Sequence, residues 1–167
     1  MILIGYDGSV DAKTAIAHAG SLCPNAAATV LTVWEPFATM MARTPAGLGP
    51  LGGITGVGDM DEAAERGALA RAREGVELAD TAGLQAAAIT AAQHTTIADA
   101  ILDQADRLDP DAIVLGSRGL TGVGSLLLGS VSHRVLQHAD RTVIVVPAPG
   151  VATERRRRRH AVEQEVT

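Results

Sequence analysis

A glycine-rich stretch in the last third of the chain has the residue types and spacing most suited to chemistry. It runs Gly116-Ser-Arg-Gly119, then nine residues, then Gly129-Ser130, between an apolar run and an amphipathic segment. Glycine allows positive φ angles and close approach of a ligand to the backbone, and free N–H groups at a helix start attract anions. Ser130 and Ser132 add hydroxyl groups there. The stretch therefore predicts a phosphate site, although it is not a P-loop because no Gly-Lys-Ser/Thr follows.

A second candidate lies at the end of the first apolar run, residues 2–6, which Asp7-Gly8-Ser9 interrupts. A continuous apolar run of this length predicts a strand that is buried on both faces. At its carboxyl end, Asp7 has two interpretations: a turn or capping residue, or a ligand contact. Ser9 or Asp11 can cap the helix that follows.

The composition limits the other possibilities. The chain has 167 residues, 47% hydrophobic but only 2% aromatic, which predicts one domain with a core of Ala, Val, Leu and Ile. A net charge of −5 argues against nucleic-acid binding by the domain. The single cysteine, Cys23, excludes an internal disulfide and fits a reducing cytoplasm. There is no signal pattern or membrane-length apolar run, so we expect a cytoplasmic protein.

Other reactive side chains have no partners at useful spacing. His94 lacks His, Cys or carboxylate residues at ligand spacing, so we predict no metal site. His94 itself is either a surface residue or a ligand contact. Trp34 is either a stacking residue or a packing residue. No Ser/His/Asp order or carboxylate pair stands out, so we assign no catalytic residue. Arg155–Arg159 is interpreted as part of a solvated tail, with nucleic acid or an acidic partner as the alternative.

Strand-like and helix-like segments alternate along the sequence, which predicts a parallel sheet with helices on both faces. The predicted strands are 2–6, 29–34, 85–90, 112–116 and 142–146. Asp59 is predicted to cap a long helix, and Thr96-Ile-Ala-Asp99 is typical of a capping box. Residues 38–58, with six glycines between Gly47 and Gly58, predict a flexible loop, and a lid is the alternative.

The spacing Gly-x2-Gly-x9-Gly-Ser resembles the ATP-binding signature of the universal stress protein family. The segments Ile2–Ser9 and Thr142–Pro147 are similar to the first and last strands of that family. This resemblance covers residues 1–149 and leaves 150–167 as a charged tail. It implies a Rossmann-like, adenine nucleotide alpha hydrolase-like fold with strand order 3-2-1-4-5. In that order strands 1 and 4 are neighbours, so Asp7 and the glycine loop are expected in one crevice at the switch point.

The resemblance also implies an ATP site. Asp7, Val33, Leu115 and Gly116 would hold adenine and ribose. The phosphates would lie on Arg118, Gly119, Gly129, Ser130, Val131 and Ser132. Arg118 occupies a variable position of the motif, although its charge suits a phosphate. Mg²⁺ would arrive with the nucleotide.

The resemblance implies an ATP-binding protein with a regulatory role in the stress response, acting as a homodimer. The dimer would form through the last strand, whose edge is otherwise unpaired: Val143, Ile144, Val145 and Val146. Two alternatives remain open. One is a slow ATPase or phosphotransferase that uses the same pocket, and the other is a dimeric scaffold that binds no nucleotide.

Overall fold

The computed structural model describes residues 1–42, 57–119 and 128–147, together with 149, 150, 152, 153 and 156. Within these residues strands and helices alternate. The strands are β1 (Ile2–Gly5), β2 (Ala27–Trp34), β3 (Gln85–Ala92), β4 (Ala112–Gly116) and β5 (Thr142–Val146). The helices are α1 (Val10–Leu22), α2 (Phe37–Ala42), α3 (Val57–Thr81), α4 (Ile97–Leu108) and α5 (Ser130–His138).

The strands form one parallel sheet in the order β3-β2-β1-β4-β5. The central strand β1 pairs Ile4 with Val30 of β2 and with Val114 of β4. The predicted fold class and strand order are therefore confirmed. The winding reverses between β1 and β4, and this reversal opens a crevice beyond the carboxyl ends of the two strands.

The sheet separates two apolar clusters because successive strand residues point to opposite faces. Ile4 packs with α1 and α3, whereas Leu3 packs with α4 and α5. Small residues let α1 and α3 lie close to the sheet and to each other. A Cβ built on Gly75 of α3 would meet Tyr6, and one built on Gly20 of α1 would collide with the backbone of Ala82. The core thus compensates for its few aromatic side chains with close helix packing.

Two helix starts follow the predicted capping chemistry. The Ser9 hydroxyl accepts a hydrogen bond from the Ala12 amide at 3.2 Å, so Ser9, and not Asp11, is the N-cap of α1. The Thr96 hydroxyl accepts one from the Asp99 amide at 3.1 Å at the start of α4. These caps fix where the chain leaves β1 and β3 at the carboxyl edge of the sheet.

The predicted loop over residues 38–58 is wrong at both ends. Residues Phe37–Ala42 form α2, and α3 already begins at Val57, so Asp59 lies in its first turn instead of capping it. A contact between helices that are far apart in sequence supports α2, because the Asp61 carboxylate accepts a hydrogen bond from the Phe37 amide at 2.7 Å. Residues 43–56 lie outside the described part of the chain, so the lid remains untested.

Smaller differences concern boundaries and exposure. The first strand ends at Gly5, one residue earlier than predicted, while β2 begins at Ala27 and β3 extends to Ala92. Ile97, the first residue of α4, is 41% exposed. Among the helices of the described residues, none is long and apolar enough to cross a membrane. Most of the predicted tail lies outside the described residues.

Candidate functional site

The turn after β1 holds the Asp7 side chain at the carboxyl edge of the sheet. Asp7 Oδ1 accepts a hydrogen bond from the Ser9 amide at 2.9 Å, which tightens the turn. Gly8 between them has φ +85°, a left-handed conformation that favours glycine. Because one carboxylate oxygen is bound within the turn, the carboxylate is held in one orientation. Asp7 is therefore a turn residue, and its position at the carboxyl edge of the sheet is also compatible with a ligand contact.

The glycine loop, residues 117–129, meets that turn directly. A Cβ built on Gly119 would lie 2.6 Å from Asp7 Oδ2. The Gly119 backbone therefore lies against the second carboxylate oxygen, and any larger residue there would push the carboxylate away. The structure thus brings together the two features that the sequence picked out separately. Residues 120–127 of the loop lie outside the described residues.

Asp11 fastens the start of the glycine loop to α1. Its Oδ2 accepts hydrogen bonds from the Ser117 hydroxyl at 2.7 Å and from the Arg118 amide at 3.0 Å. Asp11 is only 8% exposed and Ser117 1%. Gly116 allows this approach, because a Cβ there would lie 2.7 Å from the Asp11 carbonyl carbon. From the sequence, Asp11 is predicted only as a cap, because an acidic residue in a first helical turn interacts favourably with the helix dipole.

The two described ends of the glycine loop are joined to each other. The Gly129 amide donates to the Ser117 carbonyl at 2.8 Å, and the Ser132 hydroxyl donates to the same carbonyl at 3.0 Å. Ser132 is buried, so its hydroxyl supports the loop from inside and does not project beside the helix amides as expected. A Cβ on Gly129 would lie 3.0 Å from the Ser117 carbonyl oxygen, so this position also has little spare room.

The start of α5 faces the same edge of the sheet. Gly129 is its N-cap, and the first intrahelical amide bond runs from His133 to the Gly129 carbonyl at 2.9 Å. The first amides of a helix have no intrahelical partner, and they carry the positive end of the helix dipole. Those amides belong to Ser130, Val131 and Ser132, three of the predicted phosphate contacts. The Ser130 side chain is exposed at this helix start.

The remaining predicted contacts, Val33 and Leu115, lie near the carboxyl ends of β2 and β4. Leu115 is buried in the cluster under α4 and α5, and Val33 at the end of β2 is half-buried against the same cluster. Leu115 can therefore offer a ligand only its backbone. Trp34 is half-buried, and its carbonyl accepts a hydrogen bond from the Gln93 amide at 2.7 Å. This bond extends the pairing of β2 and β3 through the Trp34 backbone, and both interpretations of the side chain stay predictions.

Ionised groups surround the turn on its α3 side. Burial, together with the neighbouring Glu74 carboxylate, raises the pKa of Tyr6, so its phenol is protonated at neutral pH. The pKa of Glu74 is lowered, chiefly by its hydrogen bond to Lys13, and the two side chains meet at 2.8 Å. This pair links α1 to α3 beside the turn. No group of three or more His, Cys, Asp or Glu side chains in the described residues could hold a metal ion, and His94 is exposed.

Comparison with known proteins agrees with this architecture. The model of the universal stress protein family matches residues 1–147, so the chain belongs to the universal stress protein family. A curated relative, the universal stress protein in the QAH/OAS sulfhydrylase 3′ region of Thermus aquaticus, is 35% identical over 147 residues. The match covers 87% of this chain and 96% of that protein. The solved structure of universal stress protein UspA from Lactobacillus plantarum has a TM-score of 0.63 at 26% identity, over 87% of this chain and 95% of that chain.

Some solved structures with this fold contain a nucleotide. The universal stress protein from Archaeoglobus fulgidus in complex with dAMP has a TM-score of 0.53 at 21% identity, over 87% of this chain and 95% of that chain. A family protein from Arabidopsis thaliana with AMP bound has a TM-score of 0.56 at 17% identity, over 87% and 90%. A universal stress protein in complex with cAMP has a TM-score of 0.58 at 21% identity, over 88% and 96%. At these identities the likeness shows the fold alone.

Proposed function

We propose that this universal stress protein binds ATP in the crevice between the Asp7 turn and the glycine loop. The observation that carries the proposal is the contact between the Gly119 backbone and the Asp7 carboxylate. This contact places the Asp7 carboxylate, an oriented hydrogen-bond acceptor, beside the Gly119 backbone, where no side chain blocks the approach of a ligand. Structures of the same fold that hold dAMP, AMP and cAMP favour an adenine nucleotide as the ligand.

The proposed ligand spans both sides of the switch point. Adenine and ribose would use Asp7, the backbone of Val33, and the backbone of Leu115 and Gly116. An ionised carboxylate accepts hydrogen bonds only, so Asp7 suits the ribose hydroxyls or the adenine amino group. The phosphates would lie at the positive end of α5, on the following residues: Arg118, Gly119, Gly129, Ser130, Val131 and Ser132. Ser132 would contribute its backbone amide, because its hydroxyl is bound to the Ser117 carbonyl.

Mg²⁺ fits this arrangement only as an ion that is bound to the nucleotide. The carboxylate at the crevice, Asp7, has one oxygen bound to the Ser9 amide and the other against Gly119. Mg²⁺ prefers six oxygen ligands and often keeps several waters while it binds phosphate oxygens. It would therefore be carried by the phosphates of ATP and neutralise part of their charge.

A regulatory role in the stress response and a homodimer complete the proposal. β5 is the last strand of the sheet and pairs with β4 on one side. Its outer edge offers backbone groups that a second copy of the chain could pair with. Ile144 packs against the core and Val146 is buried, whereas Val145 is half-buried outside both apolar clusters. Val145→Lys should thus give a folded monomer in light scattering, and a wild type that is monomeric at high micromolar concentration would contradict the dimer.

Because ATP is the proposed ligand, we expect the protein in the cytoplasm.

Isothermal titration calorimetry with Mg-ATP, Mg-GTP and AMP tests the proposed ligand. Wild type should bind ATP in preference to GTP, and Gly129→Val should lose this binding. The variant places a side chain against the Ser117 carbonyl, where the phosphates approach the helix start. Gly67→Ala is the matched control, since nothing lies within 4 Å of a Cβ at this exposed position on α3.

Thermal melting supplies the second readout. At ATP about 100 times its dissociation constant, wild type should gain roughly 2.7 kcal/mol, and the control should gain the same. Gly129→Val should melt cooperatively without ligand and show little of that gain. A wild type that neither binds ATP nor shifts its melting temperature would refute the proposed function.

A further inference from the structure

Arg71 of α3 lies beside the Asp7 turn, although neither the motif nor the spacing singled it out. Its Cδ and Nε atoms lie 3.6 and 3.7 Å from the position that a Cβ on Gly8 would occupy. Arg71 is exposed, and one turn further along α3 Gly75 packs on Tyr6 under the same turn. The guanidinium is therefore held beside the Asp7 turn by a helix that is itself packed on the sheet.

We propose that the positive charge of Arg71, beside the Asp7 turn, attracts the phosphate chain of the bound nucleotide and makes affinity increase with the number of phosphates. This inference rests on the proposed function. The chemical reason is the negative charge of Asp7, which opposes a polyphosphate at the same crevice. Arg118, on the loop side, is one cation that can offset it. Arg71 supplies a second cation from the opposite side of the turn, with a planar set of donors that suits phosphate oxygens.

The charges around Arg71 favour this role. The nearest carboxylate on its own helix, Glu74, is bound to Lys13 of α1 at 2.8 Å. The positive charge of Arg71 also lowers the pKa of Glu74 and opposes the rise in the pKa of Tyr6. Lys13 thus pairs with the Glu74 carboxylate, and Arg71 adds positive charge beside the Asp7 turn.

The test compares ATP with adenosine on four proteins: wild type, Arg71→Gln, Arg71→Lys and Arg73→Gln. Arg73 is also exposed on α3, but it lies about 200° around the helix axis from Arg71. Arg71→Gln should weaken ATP binding roughly five- to tenfold and adenosine binding by less than about twofold. Arg71→Lys should recover most of the loss, and Arg73→Gln should bind like wild type. Higher salt should reduce the difference between wild type and Arg71→Gln, since the attraction acts near the surface.

Three outcomes would overturn the role. Equal ATP affinity in wild type and Arg71→Gln would show that Arg71 does not attract the phosphates. Equal losses for ATP and adenosine would show that it only positions the Asp7 turn. A wild type that binds no adenine nucleotide would refute the proposed function and this role with it. Arg71→Gln should melt at the wild-type temperature without ligand, because the side chain is exposed.

Discussion

Asp11→Ala removes the acceptor that ties the glycine loop to α1. The buried Ser117 hydroxyl and the partly buried Arg118 amide would lose this acceptor. Leaving a buried donor unsatisfied costs about 1–3 kcal/mol, and hydrogen bonds to a charged group are at the upper end. We expect a loss of about 2–3 kcal/mol in the free energy of unfolding. For a chain of this size this corresponds to a fall of roughly 5–10 °C in melting temperature.

The assay is urea unfolding of wild type, Asp11→Ala, Ser117→Ala and the double variant. Ser117→Ala removes the donor itself, so the two single losses should overlap and the double variant should lose less than their sum, by about 1 kcal/mol. Asp103→Ala is the control, because Asp103 is an exposed carboxylate on α4 and should stay within about 0.5 kcal/mol of wild type. Additive losses, or an Asp11→Ala variant as stable as the control, would refute the tether.

Five further predictions concern other parts of the chain. In urea unfolding, Gly67→Ala should raise the free energy of unfolding by about 0.5–1 kcal/mol, since Gly67 is a solvent-facing helix glycine. Gly20→Ala should lower it, because the added Cβ would clash with the Ala82 backbone. Arg134 holds the pKa of Asp99 below its ordinary value of 3.8, so the stability difference between wild type and Arg134→Gln should be present at pH 7 and vanish as the pH falls through that lowered pKa. A chain that ends at Gly150 should keep its melting temperature and ATP affinity, and a loss of several degrees would show that the tail docks. Hydrolysis of labelled ATP should stay below the roughly 1–10³ s⁻¹ of typical enzymes, and faster turnover would favour an ATPase.

Local patterns were sufficient to predict a parallel sheet between helices and to single out Asp7 and the glycine loop, whereas the strand order came from the family resemblance. Continuous apolar runs predicted the buried parallel strands, and Thr96 was recognised as part of a cap because its partner Asp99 is three residues away. Asp7 and the glycine loop could be expected in one crevice because the strand order makes β1 and β4 neighbours. The contact of Gly119 with Asp7 follows from topology and not from any property of either residue alone.

The parts that sequence analysis missed depend on partners distant in sequence. Asp11 and Ser117 are 106 residues apart, and no local signal pairs them. The helix α2 was predicted as a loop, and its first amide bonds to Asp61, 24 residues later. The inward role of the Ser132 hydroxyl depends on the Ser117 carbonyl, which the fold brings to it.

Amide hydrogen exchange of wild type with and without Mg-ATP tests most directly whether the turn and the loop form one nucleotide site. Binding should slow exchange in peptides that cover residues 5–12, 116–119 and 129–133, because these backbones would contact the ligand or be ordered by it. Peptides from β3 and the far end of α4 should be unchanged. Protection confined to one of the two elements, or found only elsewhere in the chain, would contradict a shared site at the switch point.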